Sequence, residues 1–136
     1  MEGIKKKTLL LLTFLKYGDI VGRKRFQKLM YLAKHKYNIE VPFIFVKHLY
    51  GPYSREMQTV LDNLVTHGLV RETKIIGNEG IVEYKYSLTD RGKFALSIIP
   101  FNVNEERKIK KLIEKYKYKS TKDIVKEVYE HAGIEE

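Results

Sequence analysis

The chain has 136 residues and no cysteine, which excludes a disulfide framework, a thiolate zinc site and a cysteine nucleophile. A hydrophobic content of 43% and a charged content of 32% indicate a folded globular protein and exclude wholesale disorder. The net charge of +9 favours polyanionic partners, because basic side chains neutralise phosphates and release counterions. Residues 1–68 hold 12 basic and 5 acidic side chains, so most of the excess precedes the middle of the chain.

The start of the chain imitates a signal peptide, with three lysines at residues 5–7 before four leucines at residues 9–12. Lys16 and Asp19 follow closely, however, and no small-x-small cleavage site is present. The apolar run is also too short to span a bilayer. We therefore predict a buried first helix over residues 4–17, a cytoplasmic protein and no membrane association.

The second predicted helix covers residues 23–37, after a short strand-like pair at Ile20 and Val21. Its spacing predicts a buried face of Phe26, Leu29, Met30, Ala33 and Tyr37. The side chains predicted to lie largely opposite are Lys24, Gln27, Lys28, Tyr31, Lys34 and His35. The cations expected to contact phosphates are Lys24, Arg25, Lys28 and Lys34. The same charges would also suit a surface that only keeps the protein soluble.

Residues 39–53 separate the second helix from the third by more than a tight turn. Phe43, Phe45 and Leu49 predict a short buried extended segment within this insertion. Two alternatives remain for the tyrosines near the following Gly-Pro turn, which are Tyr31, Tyr50 and Tyr53. Either the two that flank the turn pack beneath Pro52, or the three form a docking pocket for a partner peptide.

The third predicted helix, over residues 54–67, begins at the N-cap Ser54 and ends at Gly68. Its apolar stripe is Met57, Val60, Leu61, Leu64 and Val65. A strand beginning at residue 69, a turn at residues 77–80 and a second strand through residues 82–88 follow directly. A helix followed at once by a β-hairpin is the second half of a winged helix-turn-helix.

The exposed stripe of the third helix is expected to contact DNA. Its members are Arg55, Gln58, Thr59, Asp62 and Thr66, next to Ser54. Arginine and glutamine can form paired hydrogen bonds with the edges of guanine and adenine. Lys74 and Lys85 on the hairpin are further candidates, although Glu79 at its tip predicts that the hairpin does not enter a groove deeply.

Three helices are predicted after the hairpin. Thr89 caps the first and Pro100 closes it, Asn104 is the expected N-cap of the second, and either Ser120 or Thr121 caps the third. The predicted apolar faces of the last two helices are Ile109, Leu112, Ile113 and Tyr116, then Ile124, Val125, Val128 and Tyr129. We expect residues 1–100 to form a winged-helix domain and residues 101–136 to pack on it or to mediate dimerisation.

Catalysis has little support in the sequence. The histidines, His35, His48, His67 and His131, lack the spacing of metal ligands. A phosphate-binding glycine loop, a paired-carboxylate arrangement and a nucleophile motif are all absent. The prediction is therefore that the protein is not an enzyme and has no cofactor and no metal site.

Two segments resemble a known group of proteins. Residues 22–32 (GRKRFQKLMYL) resemble the G-R-x-x-F-Q-K-L-x-Y-L opening of YwgA-like bacterial and archaeal proteins, and residues 45–54 (FVKHLYGPYS) resemble their F-x-x-H-x-Y-G-P-Y-S segment. A more distant similarity is to the SocA/GepA-type (Panacea) antitoxin domain, through its L-Q-K-L-x-Y and Y-G-P segments. Residues 86–92 (YSLTDRG) are similar to the Y-x-L-T-x-x-G pattern of winged-helix regulators. The resemblance covers about residues 5–95 and implies a winged-helix-like fold, a regulatory or antitoxin role and no enzyme activity.

The combined prediction is an α+β protein, a winged helix-turn-helix with an inserted segment between its second and third helices and two extra C-terminal helices. The leading hypothesis is a transcriptional regulator that binds double-stranded DNA, with a homodimer as one option. The alternative is an antitoxin or adaptor that binds a protein partner near Tyr50, Pro52 and Tyr53 without contacting DNA.

Overall fold

A computed structural model describes residues 2–49 and 51–133. The helices are α1 (Glu2–Lys16), α2 (Arg23–His35), α3 (Arg55–Thr66), α4 (Asp90–Ile98), α5 (Val103–Tyr116) and α6 (Thr121–Ala132). The strands are β1 (Ile20–Val21), β2 (Val46–His48), β3 (Gly51–Tyr53), β4 (Val70–Ile76) and β5 (Val82–Leu88). Helices and small antiparallel sheets thus occur together, which confirms the predicted α+β class.

Two separate sheets are formed by the described strands. The larger has the order β1-β5-β4 and is antiparallel throughout, with Ile20 opposite Tyr86 and Val70 opposite Leu88. The strand-like pairing predicted at residues 20–21 is therefore confirmed. The smaller sheet is a two-stranded ribbon of β2 and β3 inside the insertion, with Val46 opposite Tyr53.

The core is centred on α1 and α2. Leucines at residues 10–12 of α1 are at most 1% exposed, which confirms the predicted buried first helix. Every residue of α2 from Phe26 to Ala33 is buried as well. Within the described residues, we find no helix that combines the length and the apolar character needed to cross a membrane.

The predicted exposed face of α2 is wrong for three of its six members. The side chains predicted to be exposed but found buried are Gln27, Lys28 and Tyr31, with relative solvent exposures of 2%, 3% and 8%. The physical reason is that α2 is covered on two sides, because α6 packs on one part of its surface and β3 of the insertion packs on another. Apolar periodicity identifies the face that lies against the main core, but a second layer can cover the polar face of the same helix.

The C-terminal helices pack on this core. The guanidinium group of Arg25 donates hydrogen bonds to the carbonyls of Tyr116 and Lys119, both at 2.7 Å, and thereby caps the end of α5. Further contact comes from the hydroxyls of Tyr37 and Tyr116, which are 2.6 Å apart, and from Glu127, which accepts a hydrogen bond from Tyr116. Packing on the core was one of the two predicted arrangements, and a role in dimerisation stays a prediction.

Side-chain caps define most helix starts, as the sequence indicated. Ser54 accepts a hydrogen bond from the Met57 amide, and Thr89 accepts one from the Gly92 amide. Ser120, rather than Thr121, caps α6. Gly92 is required for packing, because a Cβ atom there would lie 2.2 Å from the Leu69 carbonyl oxygen.

Two local predictions are wrong. Asn102, not Asn104, is the N-cap of α5, because its side-chain oxygen accepts a hydrogen bond from the Glu105 amide at 3.0 Å and starts the helix two residues earlier. Leu49 is 82% exposed, since it follows directly on β2, whose three residues are all exposed. Phe43 is fully buried and Phe45 is half-buried, so only the first part of the predicted segment enters the core.

We expect Asn102→Ala to lower the free energy of unfolding by about 1 kcal/mol, because it removes the acceptor for an otherwise unpaired amide at the start of α5. Urea denaturation monitored by circular dichroism measures this loss. Asn104→Ala is the matched control and should change stability by less than about 0.5 kcal/mol. Equal losses of stability in both variants would mean that Asn102 is not the N-cap of α5.

Candidate functional site

The two segments that carry the family resemblance are joined by hydrogen bonds. Gln27 of α2 donates from Nε2 to the Ser54 carbonyl at 2.8 Å and accepts from the Ser54 amide at 2.9 Å. The next residue, Lys28, donates from Nζ to the Pro52 carbonyl at 2.8 Å. These bonds satisfy buried backbone groups, although the Ser54 carbonyl also accepts a longer hydrogen bond from the Gln58 amide at 3.4 Å. Through them α2 holds the chain just before α3.

The Gly51-Pro52 segment was predicted as a turn, but it belongs to strand β3, where it pairs with β2 and is enclosed by the C-terminal part of the chain. Gly51 has a φ angle of 98°, and a Cβ atom at this position would lie 2.6 Å from Tyr129 Cε1 of α6 and 3.4 Å from Lys28 Nζ. A side chain is therefore excluded by the backbone conformation and by contact with α6. Pro52 is buried beside it.

The tyrosines predicted near the turn have different neighbours. The ring of Tyr53 lies 5.2 Å from the ring of His48, centroid to centroid. Tyr31 instead contacts Phe45 edge-on, with centroids 5.7 Å apart. The third tyrosine, Tyr50, lies outside the described residues.

A cleft of about 240 Å³ opens where α2, the β2–β3 ribbon and α3 meet. It is lined by Arg23, Lys24, Gln27, Lys28, His48, Tyr53 and Gln58. All but Lys24 and Gln58 occupy fixed positions of the two resemblance motifs. Several of these residues were predicted separately, as DNA contacts or as packing residues. The available signal for a common site was that polar and basic residue types occupy the fixed positions of both motifs.

The electrostatic character of this basic cleft is set by its lysines. Lys28 is 3% exposed, and burial together with the nearby charge of Lys24 lowers its pKa to about 8. None of the described lining side chains is a carboxylate. The third cation, Arg23, has an acidic neighbour outside the lining, Glu72 at 3.5 Å, and its Nε donates to the Tyr86 hydroxyl at 2.9 Å.

The predicted DNA-contacting face of α3 is mostly exposed. Arg55, Thr59 and Asp62 are exposed, whereas Gln58 is half-buried and donates from Nε2 to Asp62 Oδ1 at 3.0 Å. The Ser54 side chain does not belong to this face, because the residue is 1% exposed and its hydroxyl is the N-cap of α3. The exposed face therefore presents one cation and one anion with polar groups between them.

The predicted phosphate contacts do not form one surface. Lys24 is exposed, but Arg25 is directed towards the end of α5 and Lys28 is buried. Both side chains donate hydrogen bonds to backbone carbonyls, Arg25 at the end of α5 and Lys28 in the interior, so these groups are already engaged within the chain. Lys34 is half-buried and donates to the Phe43 carbonyl at 2.5 Å.

The two lysines of the hairpin lie on opposite faces of the sheet. Lys74 is paired with Tyr84, and Lys85 is paired with Thr73. Because successive residues of a strand point to opposite faces, these two pairs face in opposite directions. Lys85 also contacts Asp19 at 3.4 Å, so it does not extend a patch that includes Lys74.

The described residues thus define an α+β protein with a basic cleft between α2 and α3. Among residues 2–49 and 51–133, no three His, Asp or Glu side chains are grouped to hold a metal ion. The prediction that the protein is not an enzyme remains untested.

The chain is 36% identical over 91 residues to the uncharacterized protein YwgA of Bacillus subtilis (strain 168). The aligned part is 65% of this chain and 52% of that relative, so the chain spans about half the length of the relative. This similarity supports a relation to YwgA-like proteins, as the two motifs indicated. No protein-family model matches the chain, and no solved structure is significantly similar to it.

Proposed function

We propose that the chain is a DNA-binding protein of the winged-helix type that acts as a transcriptional regulator. The observation that carries this proposal is the connection of its elements. A helix and a strand are followed by two helices and a β-hairpin, and the early strand β1 pairs with the returning strand β5 of that hairpin. This order, with the β2–β3 ribbon as an insertion, is the one expected for a winged helix-turn-helix.

In this proposal α3 enters the major groove. Arg55 and Thr59 are exposed near its N-terminal end, where the recognition helices of helix-turn-helix proteins contact bases. Gln58 joins them after its hydrogen bond to Asp62 is released, and its amide then pairs with an adenine edge. Phosphate contacts come from exposed cations, with Lys24 and Lys74 retained from the sequence prediction and Arg25 and Lys28 removed from it.

A second candidate function is an antitoxin or adaptor that binds a protein partner. It is favoured by exposed apolar side chains in the insertion, because Ile44, Val46 and Leu49 are 77%, 59% and 82% exposed. Strand β2 carries Val46 and, within the described residues, pairs only with β3. An open strand edge next to apolar side chains suits a partner that adds a strand.

Fluorescence anisotropy of labelled duplex DNA across a salt series tests the first candidate. We expect wild-type binding to weaken steeply with salt, and Arg55→Ala/Gln58→Ala to lose affinity at least about tenfold on a duplex selected from genomic fragments. The control is Arg107→Ala, which removes one positive charge from the exposed side of α5 and leaves α3 intact.

An absence of binding at low salt would overturn the DNA proposal. Equal losses in the control and in the double variant would overturn the assignment of α3. In the first case, affinity capture with wild type and Ile44→Ser/Leu49→Ser would test the second candidate, which requires a partner captured only by wild type.

A further inference from the structure

We propose that the basic cleft between α2, the β2–β3 ribbon and α3 binds the phosphate group of a small phosphomonoester, with Lys28 as its deepest contact. The cleft shares Gln58 and Lys24 with the surface proposed to contact DNA, but the binding of a small phosphomonoester does not require that the protein binds DNA.

The position of Lys28 is the first argument. Its ammonium group has three N–H donors, and the hydrogen bond to the Pro52 carbonyl uses one of them. The residue is 3% exposed and lines the cleft, and the described lining contains no carboxylate. A buried cation without a counter-charge is costly, because its hydration is lost and no opposite charge compensates for it. An anion in the cleft supplies that compensation.

The neighbouring side chains are suited to the oxygens of the same anion. Lys24 brings a second positive charge close enough to affect Lys28. Arg23 is held in place by its contacts with Tyr86 and Glu72, so its guanidinium is oriented before a ligand arrives. Arginine and lysine side chains are the usual partners of phosphate oxygens in proteins.

The size of the cleft selects the class of ligand. Its volume of about 240 Å³ is below that of typical pockets for drug-sized molecules, which start near about 300 Å³. Such a space suits a phosphate with a short organic group, which would lie against the paired rings of His48 and Tyr53. A phosphomonoester carries a charge of about −1.5 to −2 at pH 7 and three terminal oxygens. A phosphodiester of duplex DNA carries substituents on both sides, which hinders its approach to a side chain as buried as Lys28.

Thermal unfolding with added phosphate tests the proposal. The probes are inorganic phosphate and glycerol 3-phosphate, each compared with sodium chloride at equal ionic strength and pH 7. We expect the better ligand to raise the wild-type Tm by about 5–10 °C at a hundredfold excess over its Kd. Dimethyl phosphate, a diester, should produce no shift beyond that of the salt control.

Lys28→Met should abolish the phosphate-dependent shift, because it removes the buried ammonium group and keeps a side chain of similar length. The matched control is Lys34→Met, since Lys34 also extends from α2 to a carbonyl of the insertion but does not line the cleft. A second variant, Lys24→Gln, keeps the test decisive if Lys28→Met does not fold, because Lys24 is at an exposed position that should tolerate substitution. We expect Lys24→Gln to weaken phosphate binding about tenfold.

Three results would overturn the proposal. The first is the absence of any shift in wild type, and the second is an equal shift in wild type, Lys28→Met and Lys24→Gln, which would place the anion elsewhere. The third is competition, in which duplex DNA without terminal phosphates displaces glycerol 3-phosphate as strongly as inorganic phosphate does. That result would assign the cleft to the DNA backbone instead of a small molecule.

Discussion

Gln27→Ala is expected to lower the free energy of unfolding by about 3 kcal/mol. The side chain is 2% exposed and makes one hydrogen bond to the Ser54 carbonyl and one from the Ser54 amide. Alanine leaves the buried Ser54 amide unsatisfied, at a cost of about 1–3 kcal/mol. The Ser54 carbonyl keeps only its long hydrogen bond from the Gln58 amide at 3.4 Å, which adds to the loss. The loss is concentrated at the connection into α3, because these bonds hold the residue that caps this helix.

Urea denaturation at pH 7 measures the global loss, and hydrogen exchange of the amides of α3 measures its location. The matched control is Gln58→Ala, which removes a glutamine that donates a hydrogen bond to Asp62 one turn along the same helix. Its expected cost is below about 0.5 kcal/mol. If Gln27→Ala and Gln58→Ala lower the free energy of unfolding equally, the two hydrogen bonds between Gln27 and Ser54 do not contribute the expected stability.

Lys28→Met is expected to change the pH dependence of stability. The pKa of Lys28 falls from its ordinary value of 10.5 to about 8 in the folded protein, mainly because the side chain is buried. Between these two values the unfolded chain binds more protons at this position than the folded protein does. The wild-type stability contributed by this group therefore rises as the pH increases from about 8 to 10.5, and the cost of the buried charge is fully present below pH 8.

Methionine cannot titrate, so the variant lacks this rise. We expect the stability of Lys28→Met relative to wild type to decrease by about 2 kcal/mol between pH 7 and pH 10. Denaturation of both proteins at a series of pH values, without phosphate, measures this difference, and the titrations of other groups largely cancel in it. A difference that does not change with pH would mean that Lys28 keeps its ordinary pKa in the fold.

Local signals in the sequence located the helices and the strands of the three-stranded sheet, but they did not predict the ribbon of β2 and β3. The apolar side chains at positions 109, 112, 113 and 116 share one face of a helix because of their spacing, and all four are buried. The N-caps Ser54, Thr89 and Ser120 each accept a hydrogen bond from the amide three residues later in the chain. Their capping roles therefore depend only on neighbouring residues. The N-cap of α5 was predicted wrongly as Asn104, since Asn102 precedes the same apolar pattern and is an equally good N-cap residue.

The positions of the α2 cations, whether exposed or buried, could not be predicted from such local signals. Lys24, Arg25 and Lys28 are near one another in the sequence, yet the first is exposed, the second caps α5 and the third is buried against β3. The partners of Arg25 are 91 and 94 residues away along the chain, and the partner of Lys28 is 24 residues away. Charge and spacing alone predict a solvated surface for all three.

The sequence by itself therefore determined the α+β class, the positions of the helices and of the strands of the larger sheet, and the apolar faces of the helices, because these depend on interactions within one or two turns or strands. The tertiary structure alone decided which polar side chains lie inside and which meet in the basic cleft. Gln27 and Lys28 are buried because α6 and the insertion cover α2 from two sides, and backbone carbonyls there accept the hydrogen bonds that water would otherwise provide.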